Sequence, residues 1–416
     1  MKNNWNRLDN AAKIFPSASR KTDTQVFRLS CELYEAVIPE ILQQALNETL
    51  EVFKVYQCIL KRGIFWYYLE SSDLMPIVRE EYKYPCQPIY NKNIKTLLFE
   101  VTYYNTRINL EVFHVLTDGT GAMHFLRQLL TKYLALVNGL KEPVLDYDAS
   151  RIQMSDDSFL KYYNDSIKVK KAKKTSACVL KGFQYTEDRL KIIAGLTSVK
   201  ELLDAAHRYN TTLTVFLCAC FMNAISESVP VRAKKKPIIL SVPVNLRKYF
   251  PSESARNFFS VVYVGYDYWR SSGELEDVIK SIDEDFKRQL SKENLANIIN
   301  SFANVEHNIF ARIAPLFFKD FVLKRAYSLS KRWNTAAVSN IGVIKMPEEL
   351  KPYINAFYLS AATLKVQLCL CSYEDKLSIS FTAPFLSTDI QRRFFRKLTD
   401  MGIGVEVTTN LMDDED

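Results

Sequence analysis

One stretch constrains this chain more than any other. From Arg107 to Phe113 apolar and polar residues alternate, with Ile108, Leu110 and Val112 on one parity and Arg107, Asn109 and Glu111 on the other. Period two predicts a half-buried strand. His114 continues the apolar parity, which directs it inward. Asp118-Gly119 is a turn signal. Beyond it Ala122, Leu126, Leu129, Leu130, Tyr133 and Val137 recur at helical spacing. The segment therefore predicts strand, turn and helix, with an imidazole at the strand end and a carboxylate at the turn. That is a plausible setting for proton transfer, because histidine changes charge near neutral pH. Read from the residues alone, a satisfied core histidine beside a common Asp-Gly turn is the more frequent meaning. The other histidines, His124, His207 and His307, fall in helix-like runs and read as structural or surface residues.

The remaining pattern mixes strands and helices without regular βαβ winding, so an α/β sandwich with mixed sheets is expected. Strands are expected at Gln25–Leu33, Ile64–Glu70, Thr96–Tyr104, Thr106–Phe113, Gly182–Leu190, Pro237–Leu246, Phe258–Tyr266 and Ala336–Ile344. A hairpin is expected from Leu364–Ser372 and Lys376–Thr382. Helices are expected at Tyr34–Lys61, from Asp118 to near Gly139, Ser198–Tyr209, Thr212–Ser228, Leu275–Leu290, Lys292–Arg325 with a break near Pro315, and Ile390–Met401. Ser198 and Thr212 are the expected N-caps. Lys168, Lys170, Lys171, Lys173 and Lys174 crowd into a basic run with few apolar neighbours, read as a linker and secondarily as a grip for a phosphate. The chain of 416 residues divides accordingly into an N-terminal unit 1–160, a basic linker 161–180 and a C-terminal unit 181–416. The tail Asp413–Asp416 is expected to fray.

Composition narrows the function classes. Only 11 glycines are present, and Gly119-Thr120-Gly121 lacks both the third glycine of a dinucleotide fingerprint and the Gly-Lys-Ser/Thr of a nucleotide loop. The formal charge of +8 is mild, and no nucleic-acid partner is expected. Eight dispersed cysteines without a Cys-x-x-Cys pair read as buried thiols in a reducing cytoplasm, with no metal site expected. No stretch reaches the ~18 consecutive apolar residues of a membrane span, nor does the start resemble a leader.

His114-x-x-x-Asp118-Gly119 resembles the His-x-x-x-Asp-Gly motif of the CoA-dependent acyltransferase superfamily, which includes chloramphenicol acetyltransferase, condensation domains, alcohol acetyltransferases and wax ester synthases. Many members begin the motif with paired histidines; here the first position is Phe113, and His114 holds the second. Two further segments match in order. Val242-Pro243-Val244-Asn245-Leu246-Arg247 is followed by Asn257, and Val338-Ser339-Asn340-Ile341-Gly342 is similar to a Ser-Asn-x-Gly segment of the alcohol-acylating relatives. The Asp-Phe-Gly-Trp-Gly segment of plant-type relatives is missing.

The resemblance, which spans roughly 25–407, implies two chloramphenicol-acetyltransferase-like lobes, mixed sheets flanked by helices, and an active-site tunnel between the lobes. It implies His114 as general base, with Asp118 and Gly119 completing the catalytic motif, and an ion pair between Asp118 and Arg247 across the two halves. Ser339, Asn340 and Asn257 are implied as oxyanion or substrate contacts, with the Gly119 N–H as a lesser donor. Acyl-CoA is the implied co-substrate, with no permanently bound cofactor, and the acceptor is an alcohol or amine. An acyl carrier protein in place of CoA, or a non-catalytic binding relative, stays open. Gly119 is expected to need positive φ or close approach by the ligand. Removing Asp118 is expected to damage folding by stranding Arg247, at ~3–5 kcal/mol, whereas removing His114 should leave a folded, inactive protein.

Overall fold

The computed structural model describes residues 5–147, 149–167, 169, 175–185, 189–307 and 312–410. The basic run at 168–174 (Val169 apart) and the tail Asp413–Asp416 lie outside the described residues. Strands run in chain order as β1 Trp5–Arg7, β2 Val26–Leu33, β3 Cys58–Arg62, β4 Tyr67–Ser71, β5 Arg79–Glu80, β6 Phe99–Tyr104, β7 Arg107–Phe113 and β8 Lys191–Ser198. They continue as β9 Ile238–Asn245, β10 Phe259–Tyr266, β11 Ala336–Val343, β12 Ile354–Ala361, β13 Gln367–Tyr373, β14 Lys376–Ala383 and β15 Glu406–Thr409.

Among the described residues three sheets form. The first half carries a five-stranded sheet in the order β12-β2-β7-β6-β5 and a small β1-β4-β3 sheet; the second half carries seven strands, β10-β9-β11-β13-β14-β8-β15. Most pairs are antiparallel, but β11 runs parallel to both β9 and β13, and β5 parallel to β6. This is the mixed α/β architecture that the sequence pattern implies.

Helices cover these sheets for local reasons. Pro39 starts the helix Pro39–Val52, where its missing N–H costs nothing. That helix lies against Gly119–Asn138, which ends at Gly139 in the left-handed region (φ 61). Ser198 and Thr212 cap Val199–Arg208 and Leu213–Ser228 by accepting from the backbone N–H of Glu201 and Val215. The second of these helices is apolar all round and sits in the core of the C-terminal half, with Phe216, Leu217, Phe221 and Ile225 fully buried.

Several expectations differ from the structure. The helix expected over Tyr34–Lys61 stops at Val52, because Cys58–Arg62 pairs with β4 instead. Gly63–Trp66 forms a turn, so the strand expected from Ile64 begins at Tyr67. Of the strand expected over Gly182–Leu190, the described residues 182–185, 189 and 190 form none; Gln184 makes one isolated bridge to Phe385, and pairing with β14 begins at Lys191. The polar parity of β7 does not face water: Asn109 and Glu111 are buried. Glu111 accepts from Arg28 Nε (2.8 Å) and from the Cys86 N–H (2.6 Å), which holds the 81–86 segment over that face. β12 was not anticipated. It leaves the second half and pairs antiparallel with β2 along Ala356–Ala361, closing the edge of the first-half sheet. Phe357 and Leu359 thereby join the first-half core. Among the described residues no single helix is long and apolar enough to cross a membrane, and all eight cysteines are free and buried.

Candidate active site

The site grows out of β7. His114 follows the strand directly, and its N–H still donates to the Gln25 carbonyl (2.9 Å), so the backbone is fixed at the point where the ring leaves the sheet. Three phenylalanines frame the imidazole. Phe15 stacks on it at 4.5 Å between centroids, Phe27 meets it edge-on at 5.1 Å, and Phe259 is tilted against it at 5.4 Å. The residue nevertheless stays partly exposed. Two surface hollows lie elsewhere, one of about 460 Å³ beside Tyr266 and Asp277 and one of about 350 Å³ beside Gln391 and Phe395. A through-going passage at His114 is not one of them.

Ring orientation is set by Asn257, which is 1% exposed. Its Nδ2 donates to the His114 carbonyl and to Asp9 Oδ2, each at 3.1 Å. Both amide hydrogens are thus engaged, and Oδ1 is the atom that faces His114 Nδ1, at 2.9 Å. An amide oxygen only accepts, so Nδ1 carries the proton and Nε2 keeps its lone pair. Burial pushes the His114 pKa below its usual value, against the opposing pull of Asp118 and the Asn257 hydrogen bond. A neutral imidazole with a free Nε2 is a proton acceptor at pH 7. Asn257 corrects an expectation: with both hydrogens committed, it has none for an oxyanion or substrate, and it acts on the ring instead.

Asp9 holds the other end of this chain. It is buried, accepts from the Ala12 N–H at 2.7 Å, and its pKa is pushed up to about 6, chiefly by burial. No local pattern in the sequence marks Asp9; it meets Asn257 across 248 positions.

Asp118 turns away from the imidazole. Its Oδ1 caps the following helix by accepting from Thr120 N–H (3.1 Å) and Gly121 N–H (3.0 Å). Its Oδ2 accepts from Arg247 Nη1 (2.7 Å) and Phe258 N–H (2.8 Å). Burial works to raise the Asp118 pKa, but Arg247 and these N–H donors outweigh it and hold the carboxyl below the usual range. Arg247 also donates to the carbonyls of Ser254 and Arg256, so a single guanidinium ties the 254–258 loop to the helix start. Asn245 adds a second tie, donating to Thr120 Oγ1 at 3.1 Å.

The two glycines of the turn differ. Gly119 does not have positive φ, and a Cβ there would meet only the Ile341 side chain, at 3.3 Å. Gly121 is the close-approach glycine: a Cβ there would overlap Thr117 Oγ1 and the Ala255 carbonyl. The positive φ expected at Gly119 is therefore absent, and the tight approach of protein atoms falls two residues later, where the loop from the second half presses on the helix.

Ser339 and Asn340 lie on β11, whose Ile341 covers Gly119. Ser339 Oγ accepts from Gln367 Nε2 (2.9 Å), which leaves its hydroxyl hydrogen available to donate. Asn340 is exposed, donates to Thr214 Oγ1 (3.0 Å) and accepts from the Gly342 N–H (2.8 Å) at a bulge with Gly342 at φ 88. The structure thus brings His114, Asn257, Asp118 and Arg247 into one network, with Ser339 and Asn340 on β11, which touches the motif through Ile341 at Gly119. His124 stacks on Tyr147 at 3.8 Å with its pKa pushed down to about 4 by burial, then by Arg127 and Arg247; His207 is exposed. The His307 side chain lies outside the described residues.

Mixed sheets tied together by β12, with this histidine-centred network at their junction, are the arrangement that the family resemblance of a CoA-dependent acyltransferase implies. Solved structures of that kind superpose over nearly the whole chain. They include trichothecene 15-O-acetyltransferase from Fusarium sporotrichioides (TM-score 0.62, 10% identity, 95% of this chain and 94% of that one). The first condensation domain of the calcium-dependent antibiotic synthetase, in complex with a substrate analogue, is similar to the same degree (TM-score 0.62, 12% identity, 98% and 100%). So is a starter condensation domain of rhizomide synthetase in complex with C8-CoA and Leu-SNAC (TM-score 0.60, 13% identity, 96% and 94%). A family model described as alcohol acetyltransferase matches residues 131–399, more than half of the sequence, and the chain belongs to that family. No curated protein matches it by sequence.

Proposed function

We propose that this protein transfers an acyl group, acetyl being the expected one, from a CoA thioester to an alcohol or amine, with His114 as general base. One observation carries the reading: Asn257 Oδ1 faces His114 Nδ1 at 2.9 Å while its Nδ2 donates to the His114 carbonyl and to Asp9, an arrangement that favours a proton on Nδ1 and a lone pair on Nε2. The acceptor O–H or N–H gives its proton to Nε2 as its heteroatom attacks the thioester carbonyl. The tetrahedral intermediate then expels the CoA thiolate, which takes the proton back from the imidazolium. A positioned base of this kind contributes roughly 10²–10⁴-fold. Ser339, with a free hydroxyl hydrogen, is the oxyanion donor this reading assigns first, and Asn340 second. The Gly119 N–H is the lesser candidate.

Asp118 and Arg247 position the loop and do not touch the reacting atoms. Phe15, Phe27 and Phe259 keep water from the base and give an apolar acceptor a surface to lie on. A carrier-bound thioester would use the same base. Purified protein assayed for CoA release with acetyl-CoA and a panel of alcohols and amines tests the proposal. His114→Ala is expected to fold normally and lose turnover by roughly 10²-fold or more. Unchanged turnover in that variant would end the mechanism; release seen only from a carrier-bound donor would move it to the carrier-dependent class. The reading also places the enzyme in the cytoplasm, where acetyl-CoA and reduced cysteines coexist.

A further inference from the structure

The helix Leu316–Ser330 is out of keeping with a protein surface. Only Leu316 and Lys319 are buried along it. Phe317, Phe318, Phe321 and Val322 stand 67, 55, 63 and 47% exposed. At 100° per residue these four share one face, and Lys324, Arg325 and Leu329 continue the same face toward the C-terminus. Ile64 and Phe65 extend the apolar area, because Leu316 N–H donates to the Ile64 carbonyl (2.9 Å) and Lys319 Nζ to that of Phe65 (2.9 Å). Both are exposed, Ile64 by 78%. Three neighbouring exposed phenylalanines on one helix face exceed the scattered apolar exposure normal for a monomer.

Charge selects the occupant. The helix's one acidic side chain, Asp320, faces inward to Ser17 (2.6 Å) and Tyr67 (3.2 Å). The outward charges, Arg312, Lys324 and Arg325, are all basic and exposed. A second copy docked face to face would bring like charges together. Phenylalanines that protrude, flanked by cations, match the boundary between headgroups and acyl chains of an anionic bilayer. We infer that this face docks the protein on an anionic lipid surface, the phenylalanines entering the interface and Lys324 and Arg325 meeting the headgroups. The far side of the same helix rests on Phe15–Ala18, whose Phe15 stacks on His114. The docked face therefore lies one short helix away from the imidazole. The inference does not depend on the proposed chemistry.

The test is co-sedimentation of the full chain with phosphatidylcholine vesicles and with vesicles of phosphatidylcholine and phosphatidylserine, alongside light scattering in solution. Wild-type protein should sediment with the anionic vesicles far more than with the neutral ones. Phe317→Ser with Phe321→Ser should abolish that binding. Lys324→Glu with Arg325→Glu should weaken it by at least about tenfold. Both variants should keep the wild-type melting temperature, since the changed residues bury little. Absence of wild-type sedimentation, or binding unchanged in both variants, would overturn the inference. So would a solution dimer that the phenylalanine variant dissolves, which would assign the face to a second copy.

Discussion

At the scale of single residues, the tautomer of His114 is decided by hydrogen-bond arithmetic. Asn257 has two donors and both are used, so it presents only an acceptor to the ring. Asn257→Ala removes that acceptor and frees the imidazole to rotate. Its kcat is expected to fall at least tenfold, within the roughly 10²–10⁴-fold that a placed base supplies, with KM little changed. A KM effect without a kcat effect would argue against this role. The pH profile follows from the depressed His114 pKa. Burial disfavours the imidazolium, so the base form survives to lower pH than in a free histidine, and the acid limb of kcat/KM should have its midpoint below 6.5. The linkage has a matching sign. Below 6.5 the unfolded chain binds this proton more readily than the folded one, so the histidine's contribution to stability declines as pH falls through that window. An acid limb centred above 6.5 would contradict the burial argument. His114 and Asp118 were visible in the sequence because strand parity and a turn signal frame them. Asp9 was not, because its meaning comes from a partner 248 positions away.

At the scale of elements, the start of the Gly119–Asn138 helix is where the two halves are locked. Asp118 caps it, Arg247 neutralises the cap, and Ala255 presses against Gly121. A glycine pair in this turn gives a clean comparison. Gly121→Ala must displace the Ala255 backbone or the helix, an overpacking expected to destabilise by about 1–3 kcal/mol and to lower turnover as the loop carrying Asn257 shifts. Gly119→Ala meets only the flexible end of Ile341 and should cost well under that. Thermal unfolding and CoA release for the two variants check the order; equal effects would refute it. Asp118→Ala should fall nearer the larger loss, since it strands Arg247 in a buried setting, at ~3–5 kcal/mol. Most elements could be read from the sequence, since capping residues and periodicity act locally. The structure departs from local pattern where strand partners, not propensity, decide the conformation, as at Cys58–Arg62 and at the start of β8 at Lys191.

For the whole molecule, the exchange of β12 binds the halves more firmly than a linker does. β12 pairs with β2 and buries Phe357 and Leu359 in the first-half core, while β13 and β14 stay in the second-half sheet. A protease site introduced between Val169 and Thr175 and then cut should leave two fragments that co-elute in gel filtration and melt in one transition. Separation of the fragments under native conditions would show that the exchanged strand contributes little. The division at 161–180 follows sequence position, and we retain it as a proposal for where the chain passes from one half to the other.

By itself the sequence determined the local grammar: the period-two strand into His114, the Asp118 cap, the hairpin at Tyr373-Glu374-Asp375, and the family to which the three motifs pointed. Those features depend on neighbours within a few positions, where sterics and backbone hydrogen bonding act. Only the tertiary structure decided that Asn257 serves the imidazole, that the facing loop leaves no room for a side chain at Gly121, that the polar face of β7 is buried, and that β12 crosses between halves. Each of these depends on which distant segment occupies the space beside a residue, and packing settles that across hundreds of positions at once.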